Sequence, residues 1–249
     1  MDCPRFCEKS RQWFETGACF VAGTLVHTKE GLVPIEQIKV SDLVLSRSEN
    51  PNDGEELAYK RVSKIFVHHD KEVMNIQCSE KINWLPGKKE FFDLFVTFDH
   101  PFWVEGEGWT AAAKLKNNFY GRSKLHLLNR ADGFASPARV YQTGQEGIGW
   151  IGAAGWQGDG ALWNFDENRY LDTLSYFDTY QWPWDENGDI DGEGYVYKTT
   201  VYNIEVEDYH TYFVGEKGVW VHNANCDITL FNKNGQHPDI TLLGERQLA

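Results

Sequence analysis

An all-β domain is what this sequence predicts, and three observations predict it. Short runs rich in β-branched and aromatic residues alternate with polar ones. Turn-forming residues punctuate those runs at close intervals, among them 23 glycines. Long amphipathic windows of helical period are scarce. In chain order, TLVHT passes through the turn KEG into LVPI, a hairpin by composition. IEQIKVSD reads as a short helical turn, broken at Ser41 and Asp42. DLVLSRS, YKRVSKIFVHH and EVMNIQC are strand-like, with SENPNDGEE a loop between the first two. FFDLFVTF is a strand that ends at Asp99-His100-Pro101, and PFWV restarts it. GWTAAAKL is the one convincing helical fragment. Strands follow at KLHLL, ARVYQ, YVYKTTVYNIEVE, TYFVG and VWVH.

The 249 residues suffice for one large domain or two small ones. A 41% hydrophobic and 14% aromatic composition excludes global disorder. No run approaches the roughly 18 consecutive apolar residues that a membrane-spanning helix needs. The opening MDCPRFCEKSRQWFETGACF does not have the basic, then apolar, then small order of a secretory signal. A net charge of −13 repels phosphate backbones, so no nucleic-acid partner is expected. Much of that charge is local: between Tyr141 and Lys198, 11 acidic residues against 2 basic ones leave −9. This Gly-Trp-rich stretch breaks the strand rhythm and reads as an acidic, aromatic insertion, with a short helix around ENRYLDTLSYF. The five cysteines, at 3, 7, 19, 78 and 226, form no CxxC pair and no zinc-type spacing.

Three separated patches carry chemistry. The first is ACFVAGTLVHTKEGLVPIEQI, beginning beside Cys19; the second is LFVTFDHPFWV, with Thr97 and His100 at a strand end; the third is VYNIEVEDYHTYFVGEKGVWVHNANC, with His210, His222 and Asn223. A cysteine can attack the carbonyl of its own preceding peptide bond and form a thioester, provided that the amide is twisted or polarised. A nearby imidazole can protonate the departing amine. An asparagine can attack its own backbone carbonyl with its carboxamide, forming a succinimide and cutting the chain behind it. A histidine directly before it can polarise that carbonyl.

In this order the patches resemble the Hint superfamily: inteins, hedgehog autoprocessing domains and the pretoxin Hint domains of bacterial polymorphic toxins. CFVAGTLV resembles the family's N-terminal motif, TFDH its Thr-x-x-His motif, and VYNIEVEDYHTYFVG with VWVHN its two C-terminal motifs. The resemblance covers about residues 19–223, and the pretoxin type fits best because the chain continues past His-Asn. It implies a flat, horseshoe-like all-β disc at 19–223 carrying the insertion at about 141–198, a leader at 1–18, and a downstream segment at 224–249. Cys19 would be the nucleophile for an N–S acyl shift at the Ala18–Cys19 bond, activated by Thr97 and His100. Asn223 would cyclise and cut before Ala224, assisted by His222 and His210. The partners implied are the chain's own flanking polypeptides, with immunity or delivery proteins of a parent exported toxin. No cofactor is implied.

Two departures matter. Splicing needs Cys, Ser or Thr directly after the terminal Asn, and this chain has Ala224, with Cys226 two residues late; cleavage is therefore expected. Where many inteins carry an acidic or thiol residue after the third patch's Tyr, this chain has Asn203. Rival readings are an inactive Hint-fold binding or spacer module and a true splicing intein. Within the insertion, Asp185, Asn187, Asp189 and Asp191 alternate as calcium ligands do, but the glutamate expected at the twelfth position is replaced by Val196 or Lys198. A polar turn is the favoured reading there.

Overall fold

The computed structural model describes residues 18–50, 53–79, 91–118, 121–129, 132–152, 160–171 and 196–223, together with the paired stretches 6–7 and 12–13. Among them, 17 strands join one antiparallel network. They are β1 (Phe20–Val21), β2 (Leu25–Thr28), β3 (Gly31–Pro34), β4 (Leu43–Arg47), β5 (Leu57–Glu72), β6 (Met74–Ser79), β7 (Phe91–Val96), β8 (Pro101–Val104) and β9 (Gly108–Ala111). β10 (Lys124–His126), β11 (Asp132–Gln142), β12 (Ile148–Ile151), β13 (Ala161–Asn164), β14 (Arg169–Tyr170), β15 (Lys198–Val206), β16 (Thr211–Val214) and β17 (Val219–His222) complete it. No helix among the described residues is long and apolar enough to cross a membrane.

Alternation does most of the folding. β2 turns into β3 through Thr28↔Gly31, where Gly31 takes a φ of 114° that side chains avoid. The 16-residue β5 is charged and largely exposed along its length, yet it pairs with β4 on one side and β15 on the other. The main core gathers Phe20, Val26, Ile35, Ile76, Leu94, Val96, Phe102, Leu125, Ile204 and Tyr212, most with no measurable exposure. A second core holds Cys19 with Val21, Phe95, Val140 and Trp163. Leu94 and Phe95 are neighbours on β7 and enter different cores, because successive side chains of a strand point to opposite faces.

One helical expectation is corrected, and a second is corrected over its described residues. In GWTAAAKL, residues 108–111 are strand β9, paired with β8 from Pro101↔Ala111 to Val104↔Gly108, and only Ala112–Lys114 form a single 3₁₀ turn. Alanine's helix preference is about a few tenths of a kcal/mol per residue. It is outweighed by ladder bonds and by Trp109 packing against Trp103 and Trp220. In ENRYLDTLSYF, Arg169–Tyr170 pair with Trp163–Asn164 as β14, and Tyr170 meets Trp163 edge-on at 4.8 Å. Positions 172–177 lie outside the described residues. The insertion thus begins as a continuation of the sheet: β11 pairs β12, β12 pairs β13 and β13 pairs β14.

Candidate active site

One turn serves both ends of the disc. β1 pairs with β7 through Phe20↔Val96, and β8 pairs with β17 through Phe102↔Val221. Residues 97–100 connect β7 to β8, so they lie between the strand that follows Cys19 and the strand that precedes Asn223. A four-residue connection of this kind fixes Thr97 and His100 relative to both chain junctions.

At the first junction the backbone and Thr97 are interlocked. The Cys19 N–H donates to Thr97 Oγ1 at 2.9 Å, and the Thr97 N–H donates to the Cys19 carbonyl at 3.0 Å. Ala18 and Cys19 are both buried. Burial pushes the Cys19 thiol up to about 12; the Asp99 carboxylate adds to the rise and Lys71 opposes it. His100 is fully buried against Phe20, ring centroids 4.2 Å apart, and Phe102 at 5.7 Å. Burial pushes its imidazole down to about 3, the Ala18 backbone pulls the other way, and His222 adds to the lowering. Neither ring nitrogen has a partner of full hydrogen-bond geometry among the described residues, so the Ala18 contact is a loose one. Loose contacts of this kind are common in resting sites and tighten along the reaction.

The second junction is built on the β16–β17 hairpin, where Thr211 lies opposite His222. Trp220 anchors β17: it is fully buried, 5.1 Å from Trp103 and 4.8 Å from Trp109, with the Arg47 guanidinium 4.5 Å above its ring. Trp109 also meets His222 edge-on at 4.9 Å. His222 Nδ1 stands 2.8 Å from the Asn223 carbonyl oxygen, and its Nε2 stands 2.6 Å from Glu49 Oε2. The Asn223 N–H donates to the His210 carbonyl at 3.0 Å. Asn223 is buried, and among the described residues neither atom of its carboxamide has a hydrogen-bond partner. A buried amide left unpaired costs about 1–3 kcal/mol, which marks this side chain as one with no bonds to surrender before it moves.

The residues that the sequence singled out therefore fall into two groups joined by an electrostatic contact. Cys19, Thr97 and His100 surround the Ala18–Cys19 amide; His222 and Asn223 form the other group; His222 helps to hold the His100 imidazole below its ordinary value. His210 reaches Asn223 with its backbone only. Its ring bonds to Glu205 Oε1 at 2.8 Å and is 45% exposed. Asn203, the departure noted above, accepts from the Tyr212 hydroxyl at 2.8 Å and from the Ile204 N–H at 2.9 Å. Glu49 is the residue that sequence reading missed: it sits in a polar loop after β4, where no spacing distinguishes it from Glu55 or Glu56. Asp185, Asn187, Asp189, Asp191 and Cys226 lie outside the described residues.

Residues 25–129 match the pretoxin HINT domain family. That span contains Glu49, Thr97 and His100, while Cys19, His210, His222 and Asn223 fall beyond it. Among solved structures, the bacterial intein-like domain from Clostridium thermocellum is similar at 24% identity, covering 82% of this chain and 97% of that one, with a TM-score of 0.47. The gp41-1 intein is similar at 16% identity, covering 83% and 98%, with a TM-score of 0.44. A DnaB intein from Synechocystis sp. PCC 6803 is similar at 12% identity, covering 84% and 99%, with a TM-score of 0.44. No curated protein matches.

Proposed function

On the premise that this chain carries a Hint domain of the pretoxin type, we propose that it cuts its own backbone after Asn223 by cyclisation of that asparagine. The observation that carries this reading is His222 Nδ1, 2.8 Å from the carbonyl oxygen of the bond to be cut. Asn223 Nδ2 attacks its own backbone carbonyl carbon. The Nδ2–C bond forms and the C–N bond to Ala224 breaks; the carboxamide nitrogen gives up a proton and the Ala224 nitrogen gains one. His222 stabilises the charge that develops on the carbonyl oxygen, a contribution of about 3–4 kcal/mol for one well-placed donor.

The first junction supports a second, separable step. Cys19 Sγ attacks the Ala18 carbonyl carbon; the C–S bond forms as the C–N bond breaks, the thiol loses its proton and the Cys19 nitrogen gains one. Thr97 Oγ1 already holds the hydrogen of that nitrogen. A neutral His100 beside the Ala18 backbone is suited to donate a hydrogen bond there. In this reading residues 1–18 are the leader, 19–223 the processing domain with its insertion at 141–198, and 224 onward the start of a released effector. The chain is both enzyme and substrate and turns over once.

The test is to express the chain with a tag at each end and weigh the products. A fragment beginning at Ala224 is expected from the unaltered chain and none from Asn223→Ala. Added dithiothreitol should speed release of the leader, and Cys19→Ala should stop it. A chain that stays whole for days, or a ligated product of the two flanks, would overturn the reading.

A further inference from the structure

His222 has acceptors on both sides. The Asn223 carbonyl oxygen faces Nδ1 and the Glu49 carboxylate faces Nε2, at 2.8 and 2.6 Å. A carbonyl oxygen has no hydrogen to give, so the bond to it requires a hydrogen on Nδ1. A carboxylate likewise only accepts, so the bond to Glu49 requires a hydrogen on Nε2. A neutral imidazole carries one such hydrogen, not two. We propose that Glu49 is a positioning residue: it keeps His222 doubly protonated and turned so that a cationic N–H polarises the Asn223 carbonyl. This rests on the cleavage reading above and supplies what that reading leaves open, namely the source of charge in a buried site.

The surroundings suit that role. The His222 side chain is 1% exposed and that of Glu49 20%, so their attraction is only partly screened. Glu49 is held from both sides of its own loop: Ser48 Oγ donates to Asp53 Oδ2 at 2.6 Å and Asn50 Nδ2 to Asp53 Oδ1 at 3.2 Å. β4 in turn is tied to the hairpin by Ser46 Oγ, which donates to the Thr211 carbonyl at 2.7 Å. A carboxylate carried on a fixed loop orients an imidazole more sharply than a free one. Of the other groups that face His222, Trp109 has no charge to offer, and His100 stays neutral because burial pushes it down to about 3. Arg47 and the His126–Glu105 pair sit against Trp220.

Two measurements test this. In the Asn223→Ala chain, which should stay intact, the ¹⁵N shifts of the His222 ring report its protons directly. Both nitrogens should be protonated at about pH 7, and Glu49→Gln in that background should leave only one protonated. In the otherwise unaltered, doubly tagged chain, Glu49→Gln should slow appearance of the Ala224 fragment about 10–100-fold at about pH 7. The loss should shrink as the pH is lowered to about 5.5, where solvent supplies the missing proton. A merely structural glutamate would give a defect that acid does not relieve. A single protonated nitrogen in the Asn223→Ala chain, or an unaltered rate in Glu49→Gln, overturns the proposal. Absence of an Ala224 fragment from the unaltered chain would instead overturn the cleavage reading, and the ring shifts would still decide the role of Glu49.

Discussion

The two junctions of this chain share a turn but not a chemistry. At Ala18–Cys19 the thiol and the imidazole are both neutral at rest: burial holds the thiol protonated, pushed up to about 12, and holds His100 unprotonated, pushed down to about 3. At Asn223 the carbonyl faces an imidazole backed by a carboxylate, and the attacking amide is unbonded among the described residues. The same burial that silences the first site therefore strengthens the second, because a low dielectric raises the cost of an unpaired charge and the worth of a paired one. The comparison teaches where the two proposed reactions differ: each attacking group must lose a proton, but only at the second junction does an imidazole already face the carbonyl oxygen.

The largest test of that contrast is a pair of variants. Asn223→Ala should abolish the Ala224 fragment while dithiothreitol still releases the leader; Cys19→Ala should do the reverse. Loss of both products in either variant, read by mass, would mean that the junctions act as one unit. Next in size is His222→Leu, which removes the polarising N–H and should slow cleavage after Asn223 about 10²–10³-fold, followed by gel or mass over hours.

A pH series sharpens the contrast further. A thiol with its midpoint at about 12 gains thiolate tenfold for each unit of rise below that point. Thiol-induced leader release should therefore climb about a hundredfold between about pH 7 and about pH 9. His100, neutral throughout that range, adds no slope of its own. In the proposed mechanism cleavage after Asn223 does not use the thiol, so it should not follow this rise. Equal slopes at both junctions would break the distinction.

Much of this was legible in the sequence, for identifiable reasons. Alternation of β-branched and aromatic residues with polar ones pointed to β4, β5 and β6, and composition pointed to the β2–β3 hairpin; β8, β16 and β17 were legible as short apolar runs because they are buried along their whole length. The residues around the two junctions were legible because each bears a reactive group at a strand end. GWTAAAKL misled because alanine content was weighed without its partner: Trp109 had a place in the Trp103–Trp220 cluster that no local window shows. Glu49 was invisible for a related reason, since its meaning comes from a contact 173 residues away. His210 was found by motif, but which of its atoms meets Asn223 depends on a backbone turn.

That turn sets the smallest effect. His210 has a φ of 54°, a left-handed conformation that most side chains avoid, and this directs its carbonyl at the Asn223 N–H. Its ring is half-exposed and hydrogen-bonded to Glu205, a part-buried contact worth about 1 kcal/mol. If the carbonyl is what matters, His210→Ala should slow cleavage after Asn223 about fivefold at most, the rate equivalent of that 1 kcal/mol. His210→Gly, which adopts the left-handed turn freely, should do no worse. His210→Val should be the slowest of the three, because a β-branched residue resists that φ. A ring that took part in the chemistry would instead make all three variants equally slow, by about 10²-fold or more. The ranking of Gly, Ala and Val therefore separates an imidazole's contribution from a carbonyl's at a position where the two cannot be told apart by deleting the histidine alone.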